Sequence, residues 1–477
     1  MMKHHHHCHC HHRRLLVSTA WSSQLLVVLL SASSFVAVAA FQIPHTALSQ
    51  RPTTSLSSPI TRFSQSDSDN DDGLPPKLPD PLWVCPEHSN ICEQTGITLS
   101  RYMIEMARVN PELIELESIM TSLSCATKTI SHLVKRADLD QLTGYQGNVN
   151  IQGEDQKKLD VLTNDVLKKS LEWSGKLATL ASEEEDVPVL LDSFGNAVYS
   201  GDVIVEEGGE YVAVFDPLDG SSNVDANIPT GTIFGIFKRN EECEIDFESD
   251  DITDAEQQCL RDSLQPGENL VAAGYCLYSA ATTLVLTIGN GVNIFTLDET
   301  IGEYRLTHQN VVIPRRGCVY SMNESNRHDW DKPLLNYIND IQQGKGQSQT
   351  KYTARYIGSM VGDIHRTILY GGIFGYPADY KNPNGKLRLL YEAAPMSYII
   401  EQAGGLALTG KSRIMELIPQ NVHQRVPCIL GSRDDVLELQ QYYESSDDPE
   451  LIARCNSRLQ PTKTTAAKED AEELVSI

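Results

Sequence analysis

Residues 211–223 read YVAVFDPLDGSSN, and this stretch decides both the fold and the chemistry. Its first five residues are apolar, β-branched or aromatic, which predicts a short buried strand. Asp216 follows the strand and Asp219 comes three residues later, so two carboxylates share one loop edge. Mg²⁺ prefers oxygen ligands of this kind. The Gly-Ser-Ser turn that follows offers N–H and hydroxyl donors to a phosphate. The alternative is an Asx turn, in which both aspartates only cap the backbone.

The composition of the whole chain is that of a globular protein. Its 477 residues are 40% hydrophobic and 22% charged, which excludes a fibrous, collagenous or wholly disordered chain. The formal net charge is −25. We therefore expect no nucleic-acid partner, because binding through phosphate contacts needs clustered Lys and Arg.

The two ends of the chain differ in composition from the middle. Residues 1–40 join a basic start to an apolar region that ends in small residues, which is typical of a secretory signal peptide. Residues 41–80 begin as a Ser- and Thr-rich transit peptide and end as an acidic linker. Signal plus transit resembles the bipartite presequence of algae whose plastids lie inside extra membranes, so we expect the plastid stroma, no membrane in the mature form, and secretion as the alternative. Residues 461–477 predict a flexible tail.

Helical and strand patterns mix between these ends. Residues 155–174 place leucines and a valine at helical spacing. Asn290-Gly291 separates two strand-like runs within residues 283–297, as in a hairpin. A proline near its start and two glycines after its end frame a helix through Met396–Gln402. This alternation without strict βαβ regularity favours a mixed, layered α/β architecture.

A second acidic group, Glu183-Glu184-Glu185-Asp186, follows another apolar stretch. Such a run standing alone is usually a solvated surface. Beside an aspartate-rich metal loop it becomes a candidate for a bridging carboxylate and a general base.

Several further blocks of sequence point to one family. They are GEDQKKLDVLTN (153–164), ASEEE (181–185), FDPLDGSSNVDANIPTGTIFGI (215–236), YSMNE (320–324), ARYIGSMVGDIHRTILYGGIFGYPA (354–378), NGKLRLLYEAAPM (384–396) and EQAGG (401–405). Together they resemble the fructose-1,6-bisphosphatases, and specifically the plastid form. The DPLDGSS loop alone is shared with inositol monophosphatases and indicates only the superfamily, whereas the later blocks are specific to the bisphosphatases.

The resemblance implies the fold and its division. We expect the layered α-β-α-β-α sugar-phosphatase fold of the inositol monophosphatase and fructose-bisphosphatase superfamily. Residues 81–312 would form an N-terminal α/β domain that carries the metal loop and a redox loop at 240–265. Residues 313–460 would form a C-terminal α/β substrate domain.

The resemblance also implies a metal cluster and a catalytic pair. Asp160 and Glu184 match the pair that orients and deprotonates the attacking water. About two to three Mg²⁺ ions per subunit, with Mn²⁺ as the alternative ion, would neutralise carboxylates that otherwise repel one another and take up protons. The implied ligands are Glu154, Glu183, Asp216, Asp219, Glu392 and the backbone carbonyl of Leu218.

A further set of residues matches the family's substrate site. Ser221 and Ser222 would cover the reacting phosphate at C1 of the sugar. Arg355 matches an arginine that reaches the other phosphate in a neighbouring subunit, so we expect a homotetramer. Each residue considered alone has an alternative role: Arg355 could form a surface ion pair, and Tyr356 and Tyr376 could be ordinary core aromatics. The residues implied to hold the sugar and its C6 phosphate are Asn323, Tyr356, Tyr376 and Lys386.

The implied function is Mg-dependent hydrolysis of fructose 1,6-bisphosphate to fructose 6-phosphate and phosphate, in plastid carbon fixation and sugar synthesis. One alternative is a sedoheptulose-1,7-bisphosphatase, against which the intact ARYIGSM and GGIFGYPA patterns stand. Another is a non-catalytic sugar-phosphate sensor, which need not keep a water-activating pair.

A polar segment of the sequence indicates a site of regulation. Residues 241–256 hold nine acids and no Lys or Arg, so we expect a mobile surface loop. The resemblance implies a disulfide between Cys243 and Cys259 that thioredoxin reduces, although Leu264 stands where plant enzymes have a third cysteine. The alternative is two unpaired surface thiols. AMP inhibition is not expected, since features of the animal AMP site are missing and Glu210 replaces a lysine of the animal enzymes.

Overall fold

The structure is a computed structural model that describes residues 86–149, 155–185, 189–190, 209–239 and 262–446, all of which lie in the unit Pro76–Ile477. Only the backbone is described for residues 145–149, 155–156 and 189–190. Within the described ranges, no helix is both long and apolar enough to cross a membrane. The predicted signal and transit peptides, the tail and residues 240–261 of the redox loop lie outside them.

The strands are numbered along the described chain. They are β1 (Tyr145–Val149), β2 (Asp155–Lys157), β3 (Leu177–Ser182), β4 (Val189–Leu190), β5 (Tyr211–Asp219), β6 (Thr230–Lys238), β7 (Leu270–Tyr278), β8 (Thr282–Thr287), β9 (Asn293–Asp298), β10 (Glu303–His308), β11 (Val319–Ser321), β12 (Thr353–Ala354), β13 (Ile373–Tyr376), β14 (Leu387–Arg388), β15 (Leu406–Leu408), β16 (Arg425–Val426) and β17 (Cys428–Gly431).

The α-helices are numbered in the same way. They are α1 (Leu99–Val109), α2 (Ile114–Arg136), α3 (Lys158–Glu172), α4 (Lys332–Gln343), α5 (Met360–Tyr370), α6 (Ala394–Gln402) and α7 (Arg433–Glu444). A 3-10 helix over Ser221–Ala226 follows β5. A π turn over Leu389–Ala393 leads directly into α6.

Two main sheets organise these strands. The larger sheet has the order β10-β9-β8-β7-β6-β5-β3-β4, and all neighbouring pairs in it are antiparallel except β3 and β5, which run parallel. The smaller sheet has the order β12-β11-β13-β17-β15. In it β11 runs parallel to β12 and β13, whereas β17 runs antiparallel to β13 and β15.

Side chains that alternate along the strands separate three hydrophobic cores. On β5, Ala213 and Phe215 join the core beneath α1, α2 and α3, whereas Val212 and Val214 join the core between the two sheets. That central core also receives α5 and α6. The third core packs α4 and α7 on the outer face of the smaller sheet. The resulting order of helix, sheet, helix, sheet and helix confirms the predicted layered fold.

The predicted elements within the described ranges are confirmed. The strand that begins at Tyr211 continues to Asp219, and the helical pattern of residues 155–174 forms α3 over Lys158–Glu172, whereas residues 155–157 before it form β2. Residues 283–297 form the antiparallel pair β8 and β9, with Gly291 at a φ of +74° in their connection. The domain boundary at residues 312–313 stays a prediction.

Candidate active site

Parallel pairing of β3 and β5 brings the two acidic segments side by side. Ser182, the last residue of β3, pairs with Phe215, and the backbone N–H of Glu183 donates to the Phe215 carbonyl at 3.2 Å. Since β5 has a hydrophobic core on each face, the next residue, Asp216, is only 1% exposed. The acidic run therefore begins next to the aspartate loop.

Three carboxylates form the centre of the site. Asp216, Asp219 and Glu392 each present an oxygen within 4.8 Å of the others. Glu392 comes from a distant part of the chain and lies in the π turn before α6. Each carboxylate accepts a hydrogen bond from a backbone N–H, and the donors are, respectively, Leu218 at 3.0 Å, Val361 at 3.5 Å and Arg388. Leu218, the predicted carbonyl ligand, lies between the two aspartates on β5.

A guanidinium group lies beside this cluster. Arg388 places one nitrogen 3.1 Å from Glu183 Oε1 and another 4.0 Å from Glu392 Oε1, so it ties Glu183 to the cluster. Arg388 was not predicted from the sequence. The signal that could have found it is an arginine four residues before Glu392 within an otherwise apolar run.

Burial and mutual repulsion raise the pKa values of the three carboxyl groups. Burial, together with the charge of Glu183, raises the pKa of Asp219 to about 7. Burial also raises the pKa of Glu392 to about 7, because the opposing effect of Arg388 is smaller. The pKa of Asp216 is raised well above its usual range by burial and by Glu183. A hard divalent cation relieves both causes, so these oxygen donors fit such an ion.

The predicted catalytic pair lies on two elements that contact each other. Asp160, near the start of α3, is 8% exposed and accepts from the backbone N–H of Lys157 at 3.0 Å. Glu184 follows β3, and its backbone N–H donates to Ser182 Oγ at 3.3 Å. Asn164, one turn further along α3, accepts from the same hydroxyl at 2.8 Å. The structure therefore links α3 to the acidic turn, by which we mean residues 183–185. The catalytic roles of Asp160 and Glu184 stay predictions.

The predicted phosphate-binding serines lie in the turn after β5. Gly220 has a φ of +73°, a left-handed conformation that glycine adopts without steric cost. Ser221 is half-buried and Ser222 is exposed. Asn223 Nδ2 donates to the carbonyl of Gly358 at 2.9 Å, which joins this turn to the segment before α5.

The four predicted sugar-phosphate residues line one pocket. Asn323, Tyr356, Tyr376 and Lys386 surround a cleft of about 480 Å³. The two tyrosine hydroxyls lie 2.6 Å apart, and Lys386 Nζ lies 5.8 Å from the centroid of the Tyr376 ring. Burial raises the pKa of both phenols, so they stay neutral and can donate. The other lining residues were not predicted from the sequence, and they are Asn326, Trp330, Gly375, Pro377, Asp379 and Asn382.

Arg355 lies outside this set of lining residues. Its side chain is exposed and donates to the carbonyl of Ala354 at 3.1 Å. Its own carbonyl accepts from Arg366 at 2.7 Å, and Arg366 also donates to Asp363 at 2.6 Å. The buried Asp363 carboxylate in turn accepts the backbone N–H of Ile357 at 3.0 Å. This pair therefore shapes the loop that carries Arg355.

Three predicted site residues lie outside the described ranges, namely Glu154, Cys243 and Cys259. Their roles stay predictions. The structure describes five other cysteines, all of them free thiols: Cys92, Cys125, Cys276, Cys318 and Cys428.

Two family models match the chain in succession. The model described as the N-terminal domain of fructose-1-6-bisphosphatase matches residues 97–309, and that of the C-terminal domain matches residues 313–444. The chain belongs to the fructose-1,6-bisphosphatase family. Together the two matches cover nearly all of the described chain, so the family resemblance read from the sequence is confirmed.

Comparison with individual proteins supports the same family. The chain is 51% identical over 348 residues to chloroplastic fructose-1,6-bisphosphatase 1 of Arabidopsis thaliana, covering 72% of this chain and 80% of the relative. It is 51% identical over 350 residues to the chloroplastic enzyme of Pisum sativum, covering 72% and 83%. The holo crystal structure of Leishmania major fructose-1,6-bisphosphatase superposes with a TM-score of 0.65 at 40% identity, covering 74% of this chain and 100% of that one.

We predict that the metal-free protein loses stability as the pH rises. Below about pH 4 both the folded and the unfolded chain are protonated at these carboxyl groups. Above it the unfolded chain releases protons that the folded chain still holds, because the folded pKa values of Asp219 and Glu392 are about 7. Melting temperatures measured in a chelator should therefore fall between about pH 5 and pH 8.

Added Mg²⁺ should reverse most of that fall at about pH 8, where the carboxylates are ionised without it. The control is Glu303→Gln, which alters a partly exposed carboxylate on β10 and should keep the parental pH profile. Asp219→Asn should flatten the profile. A metal-free melting temperature that stays level or rises across this range would contradict the prediction.

Proposed function

We propose that the chain hydrolyses fructose 1,6-bisphosphate to fructose 6-phosphate and inorganic phosphate. The observation that carries this proposal is that one short segment of chain joins the pocket to the acidic cluster. Lys386 lines the pocket, and Glu392, six residues later, belongs to the acidic cluster. A sugar with a phosphate at each end fits such a site, because one phosphate meets the ammonium group while the other meets the metal ligands.

The acidic cluster is proposed to hold Mg²⁺, with Mn²⁺ as the alternative ion. Ions held there would polarise the reacting phosphate and lower the pKa of a bound water molecule. The raised pKa values of the three central carboxyl groups support this assignment, since a bound cation would favour their ionised state at neutral pH. The proposed ligands are Glu183, Asp216, Asp219, Glu392 and the carbonyl of Leu218, with Glu154 for a third ion.

The remaining residues bind the substrate and move a proton. Glu184 accepts a proton from the attacking water, and Asp160 orients that water. Ser221 and Ser222 donate hydrogen bonds to oxygens of the C1 phosphate. In-line attack of the water oxygen on phosphorus would then break the bond to the C1 oxygen of the sugar, which takes up a proton from solvent as fructose 6-phosphate leaves. At the other end of the substrate, the C6 phosphate is held by Asn323, Tyr356, Tyr376 and Lys386.

The first test measures phosphate release from fructose 1,6-bisphosphate with Mg²⁺ present. We expect turnover by the parent and a loss of roughly 10²- to 10⁴-fold in kcat for Glu184→Gln, because the general base is removed. Asp160→Asn should also lower kcat strongly, with the fold intact by circular dichroism. The matched control is Glu299→Gln, which removes an exposed carboxylate between β9 and β10 and should leave kcat unchanged.

Sedoheptulose 1,7-bisphosphate is measured alongside. Faster turnover of that sugar than of fructose 1,6-bisphosphate would favour the sedoheptulose-bisphosphatase alternative. Binding of either sugar without any phosphate release would favour the non-catalytic sensor. Near-parental kcat in both Glu184→Gln and Asp160→Asn would contradict the roles proposed for these two residues.

The proposed location is the plastid. The relatives are named chloroplastic, and the signal-plus-transit composition of residues 1–80 agrees with import into the stroma. In this setting the enzyme would serve carbon fixation in the Calvin cycle and sugar synthesis.

The proposed assembly is a homotetramer in which Arg355 serves a neighbouring subunit. Its exposure and its position outside the pocket lining support a partner in another copy. Arg355→Ala should raise KM by about 10-fold or more, the value of a lost charged hydrogen bond, with a smaller effect on kcat.

Hybrids test whether the site is shared. Subunits with Arg355→Ala are mixed with subunits that carry Asp219→Asn, and each parent alone should have low activity at low substrate. Mixed oligomers should exceed the weighted mean of the parents, because an intact metal site then meets an intact arginine. Activity that follows that mean would contradict the shared site.

The proposed regulation is a thioredoxin-reducible disulfide between Cys243 and Cys259. These cysteines flank the acidic loop, and β6 before this loop pairs directly with β5, which carries the metal ligands. Oxidation would therefore lower the Mg²⁺ affinity. Activity at limiting Mg²⁺ should fall on oxidation in the parent and not in Cys243→Ser. Equal activity of the oxidised and reduced parent protein at limiting Mg²⁺ would contradict the proposed switch.

A further inference from the structure

His423 bridges two segments that carry proposed catalytic residues. Its Nε2 lies 3.0 Å from the carbonyl oxygen of Glu185, and its Nδ1 lies 2.8 Å from the hydroxyl of Tyr391. A carbonyl oxygen can only accept, so Nε2 carries the hydrogen. In a neutral ring Nδ1 then accepts, and the Tyr391 hydroxyl donates to it. The two hydrogen bonds therefore assign one tautomer to the ring.

The two ends of this bridge adjoin the acidic residues of the site. Glu185 directly follows Glu184, and Tyr391 directly precedes Glu392. The bridge thus runs from the turn that carries the proposed base to the turn that carries a central carboxylate. His423 itself belongs to neither turn, since it lies in the loop before β16.

The carboxylate of Glu185 extends the bridge to a third element. Its Oε1 accepts from Asn164 Nδ2 at 2.9 Å and from Lys168 Nζ at 2.6 Å, and both donors lie on α3. Because Asp160 lies one turn earlier on the same helix, Glu185 ties that helix to the acidic turn. The backbone carbonyl of Glu185 accepts from His423, and His423 in turn contacts Tyr391, so α3 and the acidic turn are both connected to Tyr391.

The two ends of the bridge differ in how firmly the chain holds them. Tyr391 is fully buried in the core between the two sheets. The acidic turn is half-buried, and its own backbone bonds are long, at 3.2 Å from Glu183 to Phe215 and 3.4 Å from Glu185 to Ser182. The packed tyrosine is therefore the anchor, and the acidic turn is the part that is held.

We propose that His423 is a positioning residue that fixes the acidic turn against the Glu392 segment. This inference rests on the proposed function, because it concerns how two chain segments share the same cations. Groups that orient metal ligands through a hydrogen bond typically contribute 10- to 100-fold in metal affinity or activity. His423 acts through Glu185 and Tyr391 and does not touch the substrate pocket lined by Asn323 and Lys386.

The first measurement is metal binding without turnover. Mn²⁺ binding is followed by titration calorimetry, and the rise in melting temperature on adding Mg²⁺ is recorded. His423→Ala should weaken Mn²⁺ binding and raise the Mg²⁺ concentration needed for stabilisation by about 10-fold or more. In steady-state assays kcat should fall and the Mg²⁺ requirement should rise, while KM for fructose 1,6-bisphosphate changes less than about 2-fold, because the pocket is intact.

Graded variants separate positioning from a general loss of structure. Tyr391→Phe keeps the packed ring and removes one hydrogen bond, so it should reproduce part of the effect even if His423→Ala folds poorly. His423→Gln offers an amide donor to the Glu185 carbonyl and should recover part of the metal affinity. The double variant Tyr391→Phe with His423→Ala should be no worse than His423→Ala alone, since both break one chain of contacts.

A second tyrosine–histidine pair supplies the matched control. His365 Nδ1 lies 2.8 Å from the Tyr275 hydroxyl, with ring centroids 5.9 Å apart, the same separation as in the Tyr391–His423 pair. In the described part of the chain, no hydrogen bond joins His365 to the acidic turn. His365→Gln should therefore keep the parental metal affinity, whatever it costs in melting temperature.

The outcomes distinguish this inference from the function on which it rests. A parent that releases no phosphate would overturn the proposed function. An active parent whose His423→Ala and Tyr391→Phe variants bind Mn²⁺ as tightly as the parent would overturn the positioning role alone. Equal loss of metal affinity in His365→Gln and His423→Gln would also overturn it, since the effect would then follow stability.

Discussion

Three carboxylates, two of them buried and the third half-buried, lie together where the end of β5 meets the π turn before α6. Several kcal/mol oppose the burial of each ionised carboxylate unless a partner charge or hydrogen bonds compensate. Arg388 and backbone N–H groups compensate only part of this for Asp216, Asp219 and Glu392, as their raised pKa values show. The protein must therefore hold mutually repelling groups together by other means, namely the packing of the elements that carry them.

Those elements, β5 and the π turn before α6, lie far apart in the sequence, and the central core between the two sheets holds them in place. β5 contributes Val212 and Val214 to this core, and the π turn contributes Leu389, Leu390 and Tyr391. Burying an aliphatic side chain contributes roughly 1.5–3 kcal/mol. The packing of these residues opposes the repulsion between the neighbouring carboxylates. The site is therefore a product of the interface between the two sheets.

The sequence predicted the parts of this arrangement that are local. The apolar run before Asp216 predicted β5, and the leucine spacing of residues 155–174 predicted α3, because strand and helix periodicities are encoded over a few residues. The same local pattern predicted Asp216 and Asp219 as metal ligands, whereas the remaining ligands and the pocket residues came from family resemblance. The contacts of Arg388 with Glu183 and of His423 with Glu185 were not predicted, because each joins residues more than 200 positions apart in the chain, although the arginine itself stands out within the apolar run before Glu392.

The segment that links Lys386 to Glu392 has a consequence for how the site can change. Lys386 lines the pocket and Glu392 belongs to the acidic cluster, and Leu387, Leu389 and Leu390 between them are buried, so packing fixes the path of the backbone from one to the other. Side-chain exchange can alter what each end binds, but it cannot alter the covalent length between them. An insertion or deletion among residues 387–391 would therefore move the lysine of the pocket relative to the carboxylates of the cluster.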